Sequence, residues 1–263
     1  MNPGTEPRRL PLYLTPSRDC SYLSGQEERV LFVDPYAPMT GESYEALLAR
    51  GFRRAGRFIY RPACGHCQSC VPVRLDARRF VPNRSQRRNL DRNLDLRLYD
   101  RPAIFQPEHF ALYAAYLRHR HPDGGMTEQL TPESYRDFLI QPWGGETRLL
   151  EFRQGERLVA LAITDHLPRA LSAVYTCFDP AQQTRAPGVY AILSQIALAR
   201  RLGLRYLYLG YWIRDCAKMA YKDRYRPIQA LIGAEWREFG RGEAIPDRAD
   251  LALPREGSPP PAA

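Results

Sequence analysis

The stretch "APGVYAILSQIALARRLGLRYLYLGYWI", residues 186–213, carries two periods in succession. Val189, Ile192, Leu193, Ile196 and Arg200 recur at helical spacing, and Gly203 stops the run. "LRYLYLGYWI" then reads as one strong strand. A helix delivered directly into a strand is a crossover unit, and the elements before it decide what kind of sheet it joins.

Upstream, "RLLEF", "RLVALAITDHL" and "ALSAVYTCFDP" read as three strands, the first pair turning at "RQGE" and the second around Pro168. Before them, "QPEHFALYAAYLRHRH" places Phe110, Tyr113, Ala114 and Leu117 on one helical face, and "TPESYRDFLI" is a second helix with Thr131 as N-cap and Pro132 at its first position. Helix, helix, antiparallel meander, helix, strand is the order of a GNAT-like acyltransferase domain. The expected fold class is therefore mixed α/β (α+β): residues 102–240 form the GNAT-like C-terminal domain and residues 12–101 a smaller cysteine-bearing one. Residues 1–11 and 241–263, rich in proline and charge, are expected as disordered tails.

In the first half, "SYEALLARGF" predicts a helix capped by Ser43, and "GRFIYRP" and "VPVRLD" predict two strands that return on each other. That puts "RPACGHCQSCVP", residues 61–72, at a hairpin tip. Cys64, Cys67 and Cys70 are spaced by two residues, with His66 inside the run. A tetrahedral thiolate site needs a fourth ligand, for which Cys20 is the natural candidate and His66 a weaker one. Zinc, an iron–sulfur cluster and reduced, unligated thiols all fit three cysteines in a loop, and Val71 and Pro72 stand where a ferredoxin-type run continues. Cys177 reads as core; Cys216 sits in a polar segment.

The chain of 263 residues is 44% hydrophobic and 25% charged, with a net charge of +9 and a pI near 9.4. That balance fits a globular protein with a polyanionic partner, or a basic surface that is merely solvated. No stretch approaches a membrane span, and the N-terminus lacks a signal-like apolar core, so the cytoplasm is expected. Arg84, Arg87, Arg88 and Arg92 recur on a predicted helix and could follow a phosphate backbone. "QQTRAPGVYA" offers Arg185 and Gly188 at a helix N-terminus that could hold an anion, although Tyr190 stands where a phosphate-gripping loop wants a small residue, and an ordinary capped helix is the favoured reading. Lys218 and Lys222 are the only lysines, and a helix would place them on one face beside Tyr211, Trp212, Tyr221 and Tyr225.

These pieces together, "GFRRAGRFIYRPACGHCQSCVPVR", "RFVPNRSQRR", "PGVYAIL", "YLYLGYWI" and "KMAYKDRYRP", resemble the bacterial aminoacyl-tRNA–protein transferases, specifically the aspartate/glutamate leucyltransferases, relatives of the eukaryotic arginyl-transferases. The resemblance runs from Asp19 to Pro227. It implies transfer of leucine from leucyl-tRNA to the N-terminal amine of proteins beginning with Asp or Glu, marking them for degradation. It implies no cofactor for the chemistry, and it implies metal or cluster binding at Cys20, Cys64, Cys67 and Cys70. In that frame Lys218 or Lys222, or Arg214 as rival, reads the acceptor carboxylate, Tyr175 or Tyr211 orients the amine, and the arginine helix holds tRNA. Three other readings stay open: arginyl transfer to the same acceptors, coenzyme A-dependent N-acetylation, and a non-catalytic tRNA-binding protein with a zinc-ribbon-like module.

Overall fold

Period two divides the strands of the meander between two helices. In the computed structural model, which describes residues 10–120 and 130–251, β9 (Glu146–Gln154), β10 (Arg157–His166) and β11 (Ala170–Phe178) pair antiparallel. Leu150, Phe152, Ala160 and Ala162 point to α5 (Pro187–Arg201), whose Ala191, Ile192, Leu193 and Ile196 complete one core. Leu149, Leu161, Ile163 and Cys177 point the other way, to Leu112, Tyr113 and Leu117 of α3 (Pro107–Arg120). Cys177 is therefore core, as its apolar strand implied.

The meander belongs to an eight-stranded sheet ordered β14-β13-β7-β12-β11-β10-β9-β8, with β7 Val71–Asp76, β8 Arg97–Pro102, β12 Tyr206–Trp212, β13 Ile228–Ile232 and β14 Glu235–Phe239. Among the described residues only β11 and β12 run parallel, as the crossover through α5 requires. The remaining strands are β1 Leu12–Leu14, β4 Val30–Val33, β5 Arg53–Ala55 and β6 Phe58–Pro62, in a small sheet ordered β1-β4-β6-β5, and the short pair β2 Arg18–Asp19 and β3 Glu27–Glu28. Helix α1 (Gly41–Ala49) covers the small sheet through Tyr44, Leu47 and Leu48. The basic segment forms α2 (Arg84–Arg92), closed by a capping box between Asn83 and Gln86. Helix α4 (Pro132–Tyr135) has the expected Thr131 cap and Pro132, then widens into a π-turn over Arg136–Ile140.

Several expectations need correction. Strands β6 and β7 do not form a hairpin: β6 pairs with β4 and β5, while β7 lies between β12 and β13, so the cysteine loop bridges two sheets. For the same reason a boundary at residue 101 does not separate the sheets. Thr40, not Ser43, caps α1; Ser43 supplies the backbone N–H that the Thr40 side chain accepts. Residues 241–251 are no loose tail. Ile245 and Ala249 are buried, and the Ala249 and Leu251 N–H groups donate to the carbonyl and side-chain oxygens of Gln68 at 2.9 and 2.6 Å. Residues 1–9 and 252–263 of the expected tails, and His121 at the end of the predicted third helix, lie outside the described residues. Among the described residues no helix is long and apolar enough to cross a membrane.

Candidate active site

The large sheet opens where the pairing of its parallel strands β11 and β12 ends. Strands β11 and β12 are in register for three residues, Ala170–Ser172 against Tyr206–Tyr208. Beyond them β11 stays with β10 and β12 stays with β7, so the two diverge. A register shift between Tyr208 and Gly210, with Gly210 at φ +85°, bends β12 away. Arg53 of β5 fills the opening. It is buried, and its guanidinium donates to Ser172 Oγ at 3.1 Å and to the Ala173 carbonyl at 2.7 Å. A Cβ on residue 210 would stand 3.2 Å from Arg53 Nε, so glycine there serves both backbone and neighbour.

Lys222 reaches the same region from the other side. After β12 the chain turns through α6 (Ala217–Ala220) into a 3₁₀ turn at Tyr221–Arg224, which points Lys222 inward and leaves it 5% exposed. Its Nζ donates to the carbonyl of Tyr211 and lies 3.3 Å from Met219 Sδ. Burial, and next the positive charge of Arg53, push this ammonium down from 10.5 to about 7; the Cys216 and Cys70 thiols oppose that shift. Lys222 is thus an amine that exchanges its proton near neutral pH. Lys218 is exposed. The two lysines do not share a face, because the helix they were expected to occupy ends at Ala220.

Tyr211 is fixed rather than free. Its hydroxyl donates to the Gly51 carbonyl at 2.8 Å, and burial holds its ionisation far above the ordinary range. Tyr175 stacks edge-on against Tyr113, Tyr116 and Phe138, and burial raises its ionisation too. Tyr221 is 38% exposed, and burial of its hydroxyl end lifts it to about 12.

The predicted anion contacts separate into two groups. Arg84, Arg87, Arg88 and Arg92 all lie on the exposed side of α2, opposite Gln86, Asn89 and Asn93. Arg92 donates to the Thr184 carbonyl at 2.8 Å, and Arg87 to the Pro82 carbonyl at 2.6 Å. Arg185 is already engaged, paired with Asp95 and donating to the Arg92 carbonyl at 3.0 Å, so it ties α2 to the lead-in of α5. Ala186, in the left-handed region at φ 50°, begins α5 without a side-chain cap, which corrects the expectation of an ordinary capped helix. Gly188 has its nearest neighbour, Phe178, 3.8 Å from an added Cβ, so space does not demand glycine. Arg214 pairs with Asp247 at 3.1 Å and donates to the Ile245 carbonyl.

The four cysteines are drawn into one neighbourhood. Cys20, Cys64 and Cys67 each oppose ionisation of Cys70, after burial as the chief cause, and Glu28 adds to the effect. Cys64 Sγ faces the Arg29 carbonyl at 3.8 Å and Cys67 Sγ faces Ser69 Oγ at 3.5 Å. Yet among the described residues no three His, Cys, Asp or Glu side chains are arranged to hold a metal ion. The donor types are those of a zinc or cluster site. Next to them His66, Cys67, Arg214 and Asp247 line a depression of about 420 Å³.

Sequence reading missed Arg53. The only trace is in "GFRRAGRF", where adjacent arginines interrupt an apolar strand pattern, and such a residue is ordinarily placed on the surface.

Comparison with known proteins adds the following. The family model described as "Arginine-tRNA-protein transferase, C terminus" matches residues 108–232, and the corresponding N-terminal model matches residues 18–88. An aspartate/glutamate leucyltransferase of Thiobacillus denitrificans is 49% identical over 90% of this chain and 98% of its own. One from Saccharophagus degradans is 45% identical over 89% and 99%. Among solved structures FemX aligns over 82% of this chain and 84% of its own, at 10% identity and a TM-score of 0.43.

Proposed function

We infer, for a chain that belongs to the aspartate/glutamate leucyltransferase family, that it transfers leucine from leucyl-tRNA to the α-amine of proteins beginning with Asp or Glu, in the cytoplasm, and so marks them for degradation. The observation that carries this reading is likeness along nearly the whole length of relatives with that name. The geometry suggests how the residues would act.

An aminoacyl ester is already activated, so the enzyme has chiefly to align amine and carbonyl and to manage one proton. The acceptor nitrogen attacks the ester carbonyl carbon, whose π electrons move to oxygen. The intermediate collapses, the C–N bond remains, and the bond to the ribose 3′-oxygen breaks. The proton lost by the amine ends on that oxygen. Lys222, poised near neutrality, suits the relay: its neutral form takes the proton and its charged form returns it. Arg53 supports that role by disfavouring the charged amine, and its own charge favours a developing oxyanion. Lys222 is better suited to this than to reading the acceptor carboxylate, because its Nζ is already committed to the Tyr211 carbonyl. The reaction so written draws on no cofactor. A coenzyme A donor fares worse, since Arg185 is held by Asp95.

The test is transfer of labelled leucine from leucyl-tRNA to peptides beginning with Asp, Glu, Asn or Lys, with arginyl-tRNA in parallel. The expected result is label on the Asp and Glu peptides from leucyl-tRNA alone. Transfer only from arginyl-tRNA would correct the donor; no transfer from either would overturn the reading.

A further inference from the structure

The turn that points Lys222 inward points Arg224 outward, into a second depression of about 490 Å³ lined by Asn83, Asp223, Arg224, Arg226, Arg241 and Glu243. Its two acids are already used. Asp223 pairs with Arg226, and Glu243 accepts the Gly240 N–H at 2.6 Å through its carboxylate and Arg226 Nη1 at 2.9 Å through its carbonyl. Among the described residues, the guanidiniums of Arg224 and Arg241 have no carboxylate partner, and neither do those of Arg84, Arg87 and Arg88. By contrast Arg79, Arg185, Arg214 and Arg226 nearby are all paired.

These unpaired cations are fastened into one surface. Asn83, which lines the depression, is the N-cap of α2, and Arg84 follows it. From the buried side of α2, Gln86 Nε2 donates to the Arg224 carbonyl at 3.2 Å, binding the helix to the turn that holds Lys222. Through Asn83 and Gln86, the helix bearing Arg84, Arg87 and Arg88 thus adjoins the depression that holds Arg241 and Arg224, and Arg224 stands two residues after the buried Lys222 in the chain.

We propose that this depression holds the phosphodiester backbone of the tRNA acceptor arm, so that the strand carrying the leucyl ester passes Arg241 and Arg224 on its way to Lys222. The inference rests on the leucyl-tRNA reading above and specifies the path of that donor. Phosphate contacts position a nucleic acid without reading its sequence, which suits a lining whose three guanidiniums outnumber its two carboxylates and which has no aromatic side chain among the described residues. The acidic N-terminus of an acceptor protein is the competing occupant.

The experiment measures binding of the full-length protein to deacylated leucine tRNA by fluorescence anisotropy over a range of salt. It compares wild type, Arg224→Gln/Arg241→Gln, and Arg97→Gln on the opposite edge strand β8. The double variant is expected to bind about tenfold or more weakly, with the salt slope lowered by about two, while Arg97→Gln matches wild type. A thermal melt of each variant establishes that it is folded. An affinity within twofold of wild type with an unchanged slope would overturn the proposal. So would an equal loss in Arg97→Gln, or a rise in KM for an Asp-peptide with tRNA affinity unchanged. Binding of deacylated tRNA is read independently of transfer, so failure of the leucyl reading would register separately, as absence of product from the wild type.

Discussion

Lys222 is a buried amine whose environment brings its proton exchange close to neutral pH. Its amine titrates near 7 in the folded protein and near 10.5 when free, so between those values the unfolded chain binds the extra proton. Stability therefore rises with pH across that window and falls as pH drops toward 7, where the buried amine is charged in both states. Lys222→Met removes the effect. In urea unfolding at about pH 7 and about pH 10, the wild type is expected to gain stability relative to the variant as pH rises. An equal difference at both would mean that the amine is not desolvated as its surroundings imply. Gly210 is the second telling residue. At φ +85° and with Arg53 Nε 3.2 Å from any added Cβ, Gly210→Ala strains the bulge and displaces the guanidinium. Transfer is expected to fall by an order of magnitude or more with the fold retained, read as kcat with a circular-dichroism control.

At the scale of elements, what the sequence made legible was whatever local chemistry decides. The Thr131–Pro132 start, the arginine helix, the meander and the span of α5 followed from caps and periodicity and stand as read, whereas the ordinary cap expected for α5 does not. The pairing of β7 did not, because "VPVRLD" alternates equally well as a hairpin partner of β6 or as an inner strand between β12 and β13; only tertiary contacts choose. The lysine pair failed for a related reason: i, i+4 spacing means a shared face only while the helix lasts, and this one ends at Ala220. The structure adds an element junction that the sequence hid. Gly56, at φ +58°, closes the β5–β6 turn, donates to the Phe138 carbonyl at 2.8 Å, and would place a Cβ 2.1 Å from the Asp137 carbonyl oxygen. Gly56→Ala is therefore expected to destabilise by several kcal/mol, seen as a large drop in melting temperature; a loss under about 1 kcal/mol, the ordinary level for glycine replacement, would contradict the contact.

On the scale of the whole molecule, the two sheets act as one frame because charged side chains cross between them. Arg54 of β5 and Asp165 of β10 form a fully buried pair at 2.6 Å, joined by the Thr147 hydroxyl and the ring of Trp143. Arg53 makes the adjacent crossing into the opening between β11 and β12. Arg54→Met leaves Asp165 buried without its counter-charge and is expected to cost about 3–5 kcal/mol of stability in urea unfolding, whereas a surface pair such as Arg237–Glu235 is expected to contribute under about 1 kcal/mol. The frame brings a cation from the small sheet and an amine from the C-terminal half to one opening, which no linear stretch of sequence displays. That convergence is the centre of the account, and single-turnover leucine transfer to an Asp-peptide at saturating leucyl-tRNA tests it most directly. Lys222→Met is expected to slow the step by about 10²–10⁴-fold, the range of a lost proton relay, with tRNA affinity unchanged; a rate within a few-fold of wild type would contradict it.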